Sequence, residues 1–71
     1  MQGRTVKNSV KGRRERLEMS QVELAKLAGV GQSTICAIEK GKSYPYIDTA
    51  LFIADALGCK VDDIFYLSEK S

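Results

Sequence analysis

The spacing of one serine, one glutamate and one glycine constrains this chain more than any other feature of its sequence. Ser20 is followed three residues later by Glu23, which is the form of a capping box: each side chain accepts a backbone N–H of the other residue at the start of a helix. Gly29 follows, and glycine is the residue that most readily takes the left-handed conformation at the end of a helix. The sequence therefore predicts a short helix between Ser20 and Gly29.

Apolar residues on both sides of Gly29 have the spacing of two helices that cross at a sharp corner. Ala25 is small at the point where two such helices approach each other most closely, and Gly29 begins a tight turn that ends at Gly31. A second helix is predicted over residues 32–40, closed by Gly41. The predicted apolar contacts between the two helices are made by Leu24, Ala28, Val30, Ile35 and Ile38.

The rest of the chain predicts three more helices, over residues 8–17, 47–57 and 61–67. Their expected apolar stripes are Val10 and Leu17 in the first helix, and Leu51, Ala54 and Leu57 in the fourth. No segment shows sustained polar–apolar alternation, so no strand is predicted and the fold class is all-α. We expect one domain over residues 8–67, preceded by a mobile basic arm over residues 1–7 and followed by a tail over residues 68–71.

The composition argues against an enzyme and against a metal site. Histidine is absent, and the two cysteines are too few for a disulfide framework. No set of carboxylates or thiols converges on one place in the sequence, and no cofactor motif is present. Cys59 is expected to fill a small apolar site. For Cys36 the sequence leaves two interpretations open, an inert thiol and a redox switch.

Charge is divided unevenly along the chain. Residues 1–42 contain nine basic and four acidic side chains, whereas residues 43–71 contain two basic and five acidic ones. This division is typical of a protein with one face for a polyanion, although ordinary surface charge also produces such counts. No apolar run reaches the ~18–20 residues needed to span a bilayer, and the N-terminus is too polar for a secretion signal. We therefore expect a cytoplasmic protein without a membrane partner.

Six segments together resemble the phage-repressor and Cro-like helix-turn-helix family (XRE-type), over about residues 8–66. The resemblance implies a compact five-helix lambda-repressor-like domain, with the helix-turn-helix formed by the second and third helices. It also implies a protein that binds double-stranded DNA in the major groove. The segments are Ser20-Gln21-Val22-Glu23-Leu24-Ala25, Gly29-Val30-Gly31-Gln32-Ser33-Thr34-Ile35, Ile38-Glu39-Lys40-Gly41-Lys42, Pro45, Ile53-Ala54-Asp55-Ala56-Leu57-Gly58 and Val61-Asp62-Asp63-Ile64-Phe65.

The resemblance also implies a role for individual residues. It places Arg14 and Glu39 in an ion pair between the first helix and the end of the third. For Thr34 a helix-cap or packing role is an equal alternative to base contact, and the lysines, including Lys7 in the arm, have solvated alternatives. The implied base contacts are Gln32, Ser33, Thr34 and Ala37, and the implied phosphate contacts are Gln21, Lys40, Lys42 and Tyr44.

These implications lead to a sequence-specific transcriptional regulator, acting as a repressor that binds an inverted repeat as a homodimer. Phe52 is placed where relatives usually have a polar residue, so we expect either an exposed dimer contact or burial beneath the C-terminal tail. Tyr66 and Leu67 are the other candidate dimer contacts. The alternative function is an antitoxin-like interaction module that uses the same fold to mask a protein partner.

Overall fold

Five helices and two short strands form the structure, a computed structural model that describes residues 5–68. The predicted five-helix architecture is confirmed, with small differences in where the helices begin and end. The elements in chain order are β1 (Val6–Asn8), α1 (Val10–Arg16), α2 (Gln21–Ala28), α3 (Gln32–Glu39), α4 (Ile47–Ala56), α5 (Val61–Ile64) and β2 (Phe65–Leu67).

The corner between α2 and α3 has the local chemistry that the sequence predicts. The Ser20 hydroxyl accepts the N–H of Glu23 at 3.0 Å, and the Glu23 carboxylate accepts the N–H of Ser20 at 2.8 Å, which completes the capping box. Gly29 ends α2 with a φ of 73° in the left-handed region. Residue Val30 then donates its N–H to the carbonyl of Ala25, which turns the chain into α3.

The all-α fold class is confirmed, and the two short strands are a minor addition that the sequence does not predict. β1 and β2 pair in antiparallel register, with Val6 opposite Leu67, Lys7 opposite Tyr66 and Asn8 opposite Phe65. The predicted helix over residues 61–67 is therefore wrong after residue 64, and the predicted mobile arm is wrong for residues 6 and 7. Strands of three residues are too short to show a period of two, and their partners are far apart in the sequence. Residues 1–4 of the arm and residues 69–71 of the tail lie outside the described residues.

One apolar core joins all five helices. α2 packs against both α3 and α4, and α5 closes the core beside the sheet. The prediction that Leu17 and Leu51 belong to the buried stripes is wrong. Leu17 lies beyond the end of α1, and Leu51 is on the exposed face of α4. α4 is apolar on several sides, so its sequence does not define a single buried face. The buried apolar residues are Val10, Leu24, Ala25, Ala28, Ile35, Ile38, Ala50, Ile53, Ala54, Leu57 and Ile64.

Membrane insertion has no candidate segment in the described structure. Of the helices between residues 5 and 68, none combines the length and the hydrophobicity that crossing a bilayer requires. The longest helix, α4, has ten residues.

Candidate nucleic-acid interface

The first turn of α3 is polar and directed to solvent. Gln32, Ser33 and Thr34 are exposed, whereas Ile35 and Ile38 on the opposite side of the same helix are buried in the core. α3 is eight residues long and packs against α2, with Ile35 and Ile38 buried, while the residues of its first turn are exposed. Two hydroxyls and one amide are therefore exposed on the same helix that contributes Ile35 and Ile38 to the core.

The other predicted base contact, Ala37, is half-buried one turn further along α3. Its methyl group has no hydrogen-bonding capacity, so apolar contact is the only interaction that it offers. Cys36 beside it is also half-buried. Cys59 packs against the core, as predicted, and burial raises the pKa of its thiol.

A bidentate ion pair joins α1 to the end of α3. Arg14 Nε lies 2.7 Å from Glu39 Oε2, and Arg14 Nη2 donates to Glu39 Oε1 at 3.1 Å. The third donor of the guanidinium, Nη1, bonds to the carbonyl of Met19 at 2.8 Å. Only 11% of the Arg14 side chain and 3% of the Glu39 side chain are exposed. The structure thus brings together the two residues for which the sequence predicts a pair.

The pair changes the acid–base properties of both groups. Burial disfavours the charged form of Glu39, but the hydrogen bonds from Arg14 and Gln21 outweigh it, so the pKa of this carboxyl lies below its ordinary value. The hydrogen bond to Glu39 raises the pKa of Arg14. Both groups are therefore charged at neutral pH, and each compensates the charge of the other.

Gln21, a predicted phosphate contact, lies at the start of α2 beside this pair. Its amide Nε2 donates to Glu39 Oε1 at 3.0 Å, so its side chain is fixed by the same carboxylate that Arg14 holds. A primary amide has two N–H donors, and this bond uses one of them. The second donor is the one with which Gln21 can bind a phosphate oxygen.

The remaining predicted phosphate contacts follow the end of α3. Lys40 is the C-cap residue directly after α3, and Lys42 and Tyr44 lie in the loop that leads to α4; all three are exposed. Gly41 has a φ of 75°, which bends the chain between the two lysines. Gln21 precedes α3 in the sequence and the other three residues follow it. The exposed first turn of α3 lies between them along the chain.

Asn8 is a structural residue of the interface that the sequence analysis did not identify. Its side-chain N–H donates to the carbonyl of Ile38 at 2.9 Å, and its side-chain oxygen accepts the N–H of Val10 at 3.1 Å. Asn8 therefore attaches the end of β1 to the last turn of α3. The bond from the Val10 N–H to the Asn8 side chain is a local one of the kind that asparagine often makes, but the contact of Asn8 with α3 depends on tertiary structure.

The candidate dimer contacts lie on α4 and β2. About half of each side chain of Phe52, Tyr66 and Leu67 is exposed. Phe52 is therefore not buried by the tail as far as residue 68. Asp48 and Asp55 on α4 are also exposed, so these two acidic side chains lie on a different element from α3.

Comparisons with known proteins agree with this architecture. A family model described as helix-turn-helix matches residues 10–64. An uncharacterized HTH-type transcriptional regulator of Bacillus subtilis is 41% identical over 66 residues, which are 93% of this chain and 100% of that protein. A second such regulator, of Methanocaldococcus jannaschii, is 45% identical over 60 residues, which are 84% of this chain and 91% of that protein.

A solved structure shows the same fold. The P22 c2 repressor protein, crystallised in complex with a synthetic operator, is similar with a TM-score of 0.72 and 30% sequence identity, covering 75% of this chain and 80% of that one. The family model extends from the first residue of α1 to the last residue of α5 and therefore includes the corner between α2 and α3. The chain therefore belongs to the helix-turn-helix family of transcriptional regulators.

Proposed function

We propose that this protein is a repressor that places the first turn of α3 in the major groove of an operator. The observation that carries the proposal is the division of α3 into an exposed polar first turn and a buried apolar side. An α-helix fits the major groove, and helix-turn-helix proteins contact base edges with the N-terminal residues of the second helix. A helix presented in this way suits groove recognition better than burial against another protein.

Gln32 is the residue proposed to discriminate most strongly between bases. Its planar amide has a donor and an acceptor, which match N6 and N7 of adenine in a bidentate arrangement. Ser33 and Thr34 have single hydroxyls and read bases less selectively. Ala37 offers only a methyl group, which suits contact with the methyl of thymine.

The phosphate contacts proposed on either side of these bases position the helix. Gln21 is held by Glu39 and retains one donor, and Lys40 and Lys42 carry positive charge beyond the end of α3. Tyr44 contributes a hydroxyl from the adjoining loop. Such contacts fix the register of the protein on DNA and make the affinity fall steeply with salt.

We propose further that two copies bind an inverted repeat. Two-fold symmetric regulators read half-sites about 34–36 Å apart, one turn of DNA. The similarity to the P22 c2 repressor, which was crystallised with a synthetic operator, supports repression through operator binding. The exposed aromatic residues on α4 and β2 supply apolar area for a contact between copies.

The test of the proposed function is selection from random duplex DNA by the wild type and by Gln32→Ala. We expect the wild type to select an inverted repeat and the variant to lose base preference at one position in each half-site. Loss of a bidentate contact reduces discrimination between bases by about 1–3 kcal/mol, or roughly 5- to 150-fold, because the preferred base no longer gains that contact over the others. Sequencing of the selected pool measures the preference.

Lys60→Gln is the matched control for this selection, because Lys60 is exposed, lies in the acidic half of the sequence outside the helix-turn-helix, and should not alter the selected sequence. Equal weakening of all DNA sequences by Gln32→Ala would show that Gln32 contacts the backbone. Failure of the wild type to enrich any sequence would contradict the proposed function as a whole.

The dimer contact predicts that Phe52→Ser converts the protein from two chains to one in solution. An aromatic residue central to an interface contributes at least about 2 kcal/mol, which raises the dissociation constant about 30-fold or more. Sedimentation velocity over a concentration series measures the change. Leu27→Ser is the control, because Leu27 is also an exposed apolar residue but lies on α2. If Leu27→Ser dissociates the protein and Phe52→Ser does not, the interface lies elsewhere.

A further inference from the structure

An open cleft separates β1 from the end of α3 and the loop that follows. Its volume is about 420 Å³. One wall is formed by residues of the strand that the sequence analysis did not predict. The other wall includes two residues that we propose as phosphate contacts. The cleft is lined by Thr5, Val6, Lys7, Asn8, Glu39, Lys40, Gly41 and Tyr44.

The wall that contains Lys7 is held in place at several points. The strand pairs with β2, where Lys7 lies opposite Tyr66. Asn8, the next residue, bonds to the carbonyl of Ile38 at 2.9 Å and so fixes the strand against α3. The N–H of Ser68 donates to the carbonyl of Thr5 at 2.8 Å on the other side of Lys7. Lys7 is therefore presented from an ordered strand instead of the mobile arm that the sequence predicts.

The charge of the cleft suits an anion. Lys7 on β1 and Lys40 after α3 both line the cleft, and Tyr44 adds a hydroxyl. Glu39 is the one carboxylate among the lining residues, and it is bonded to Arg14 and Gln21 with 3% of its side chain exposed. Its charge is thus compensated within the protein. The two lysines are left to attract a ligand.

We propose that Lys7 is a further contact to the DNA backbone, made across the cleft from Lys40 and Tyr44. The proposal rests on the proposed function, because Lys40 and Tyr44 on the facing wall are assigned to the backbone of the operator. A phosphodiester that approaches these residues lies at the mouth of the cleft, where an ammonium group on β1 adds a second cation. The sheet thereby becomes part of the DNA-binding surface, and pairing of β1 with β2 determines where Lys7 stands.

The test compares the salt dependence of operator binding by the wild type, Lys7→Gln, Lys7→Arg and Lys60→Gln. Each phosphate contact contributes about 0.9 to the slope of log affinity against log salt concentration. We expect Lys7→Gln to reduce the slope by about 0.9 for each bound copy and to weaken binding about three- to tenfold on operator and unrelated DNA alike. Lys7→Arg should retain the wild-type slope. Fluorescence anisotropy with the full chain measures both quantities.

Lys60→Gln removes the same charge from the exposed residue before α5, which is not among the proposed DNA contacts, and is expected to leave the slope unchanged. Circular dichroism of each variant verifies that the fold is intact. An unchanged slope and affinity for Lys7→Gln, with a salt-dependent wild type, would overturn the assignment of Lys7 and leave the proposed function standing. A wild type that does not bind DNA would instead refute the proposed function itself.

Neutral methylphosphonate linkages distinguish a direct contact from a general effect of charge. Replacing phosphates of the operator one at a time should weaken the wild type at the position that Lys7 contacts. The same replacement should have no effect on Lys7→Gln, because the contact has already been lost. If every replacement weakens the two proteins equally, Lys7 does not bind a particular phosphate and the proposal fails.

Discussion

Glu39→Gln is expected to lower the free energy of unfolding by about 3–5 kcal/mol, because it leaves the guanidinium of Arg14 buried without a compensating charge. Arg14 has its Nε and Nη2 directed at the Glu39 carboxylate, and 11% of its side chain is exposed, so solvent cannot replace the lost partner. A domain of 71 residues has a total stability of roughly 4–11 kcal/mol. The variant should therefore lose a large fraction of its stability, and all of it if the wild type lies at the lower end of this range. Urea denaturation followed by circular dichroism measures the loss.

The double replacement Arg14→Met and Glu39→Met is the control that separates charge from packing. Replacing a whole buried ion pair with apolar residues of similar size is often neutral or stabilising, so we expect the double variant to be much more stable than Glu39→Gln. If the double variant is as unstable as the single one, the pair contributes through the geometry of its hydrogen bonds instead. A loss below about 1 kcal/mol for Glu39→Gln would contradict the assignment of a desolvated pair.

The same pair determines how stability depends on pH. The folded-state pKa of Glu39 lies below its ordinary value of 4.5, so the unfolded chain takes up a proton first as the solution is acidified. The stabilisation is complete above the ordinary value and is lost as the pH falls through the lowered one. Arg14 remains charged throughout. Below about pH 4.5 the wild type should therefore lose stability relative to the double methionine variant, which has no carboxyl at this position.

Local signals in the sequence were sufficient to predict the helix-turn-helix. The capping box of Ser20 and Glu23 and the glycine at position 29 act through neighbours in the sequence, and both are present as predicted. The contact between Arg14 and Glu39 joins distant segments, and it followed from the resemblance to a family instead of from spacing. The elements that depend on short-range chemistry were thus the most predictable part of the fold.

The small sheet and its contacts were not predictable in the same way. Three residues of β1 pair with three residues of β2 from the far end of the domain, and neither segment alone has enough alternation to indicate a strand. The bond from Asn8 to the carbonyl of Ile38 exists only because this pairing brings β1 to the end of α3. The cleft beside Lys7 depends on the same pairing. Local sequence patterns therefore predict α3 but do not predict β1, the strand that lies against the last turn of α3.

Ile35→Ala is expected to destabilise the domain by about 2–5 kcal/mol and to weaken DNA binding beyond that loss. Ile35 is fully buried and belongs to the first helical turn after Gln32, Ser33 and Thr34. Removing three carbon atoms leaves a cavity directly beneath the proposed base contacts, because a packed core relaxes only partly around a deletion. The first turn of α3 then has no fixed support against α2. Urea denaturation and anisotropy titrations at low temperature measure the two effects separately.

Leu57→Ala is the matched control for this argument, because Leu57 is buried in the same core but follows α4. Both deletions should cost a similar amount of stability, and Ile35→Val should cost only about 0.5–1.5 kcal/mol. After correction for the folded fraction, we expect Leu57→Ala to bind the operator nearly as well as the wild type. Ile35→Ala should remain weaker, because its cavity lies under the residues that enter the groove. Equal DNA binding by the two alanine variants would show that α3 is positioned by the core as a whole, without a particular need for Ile35.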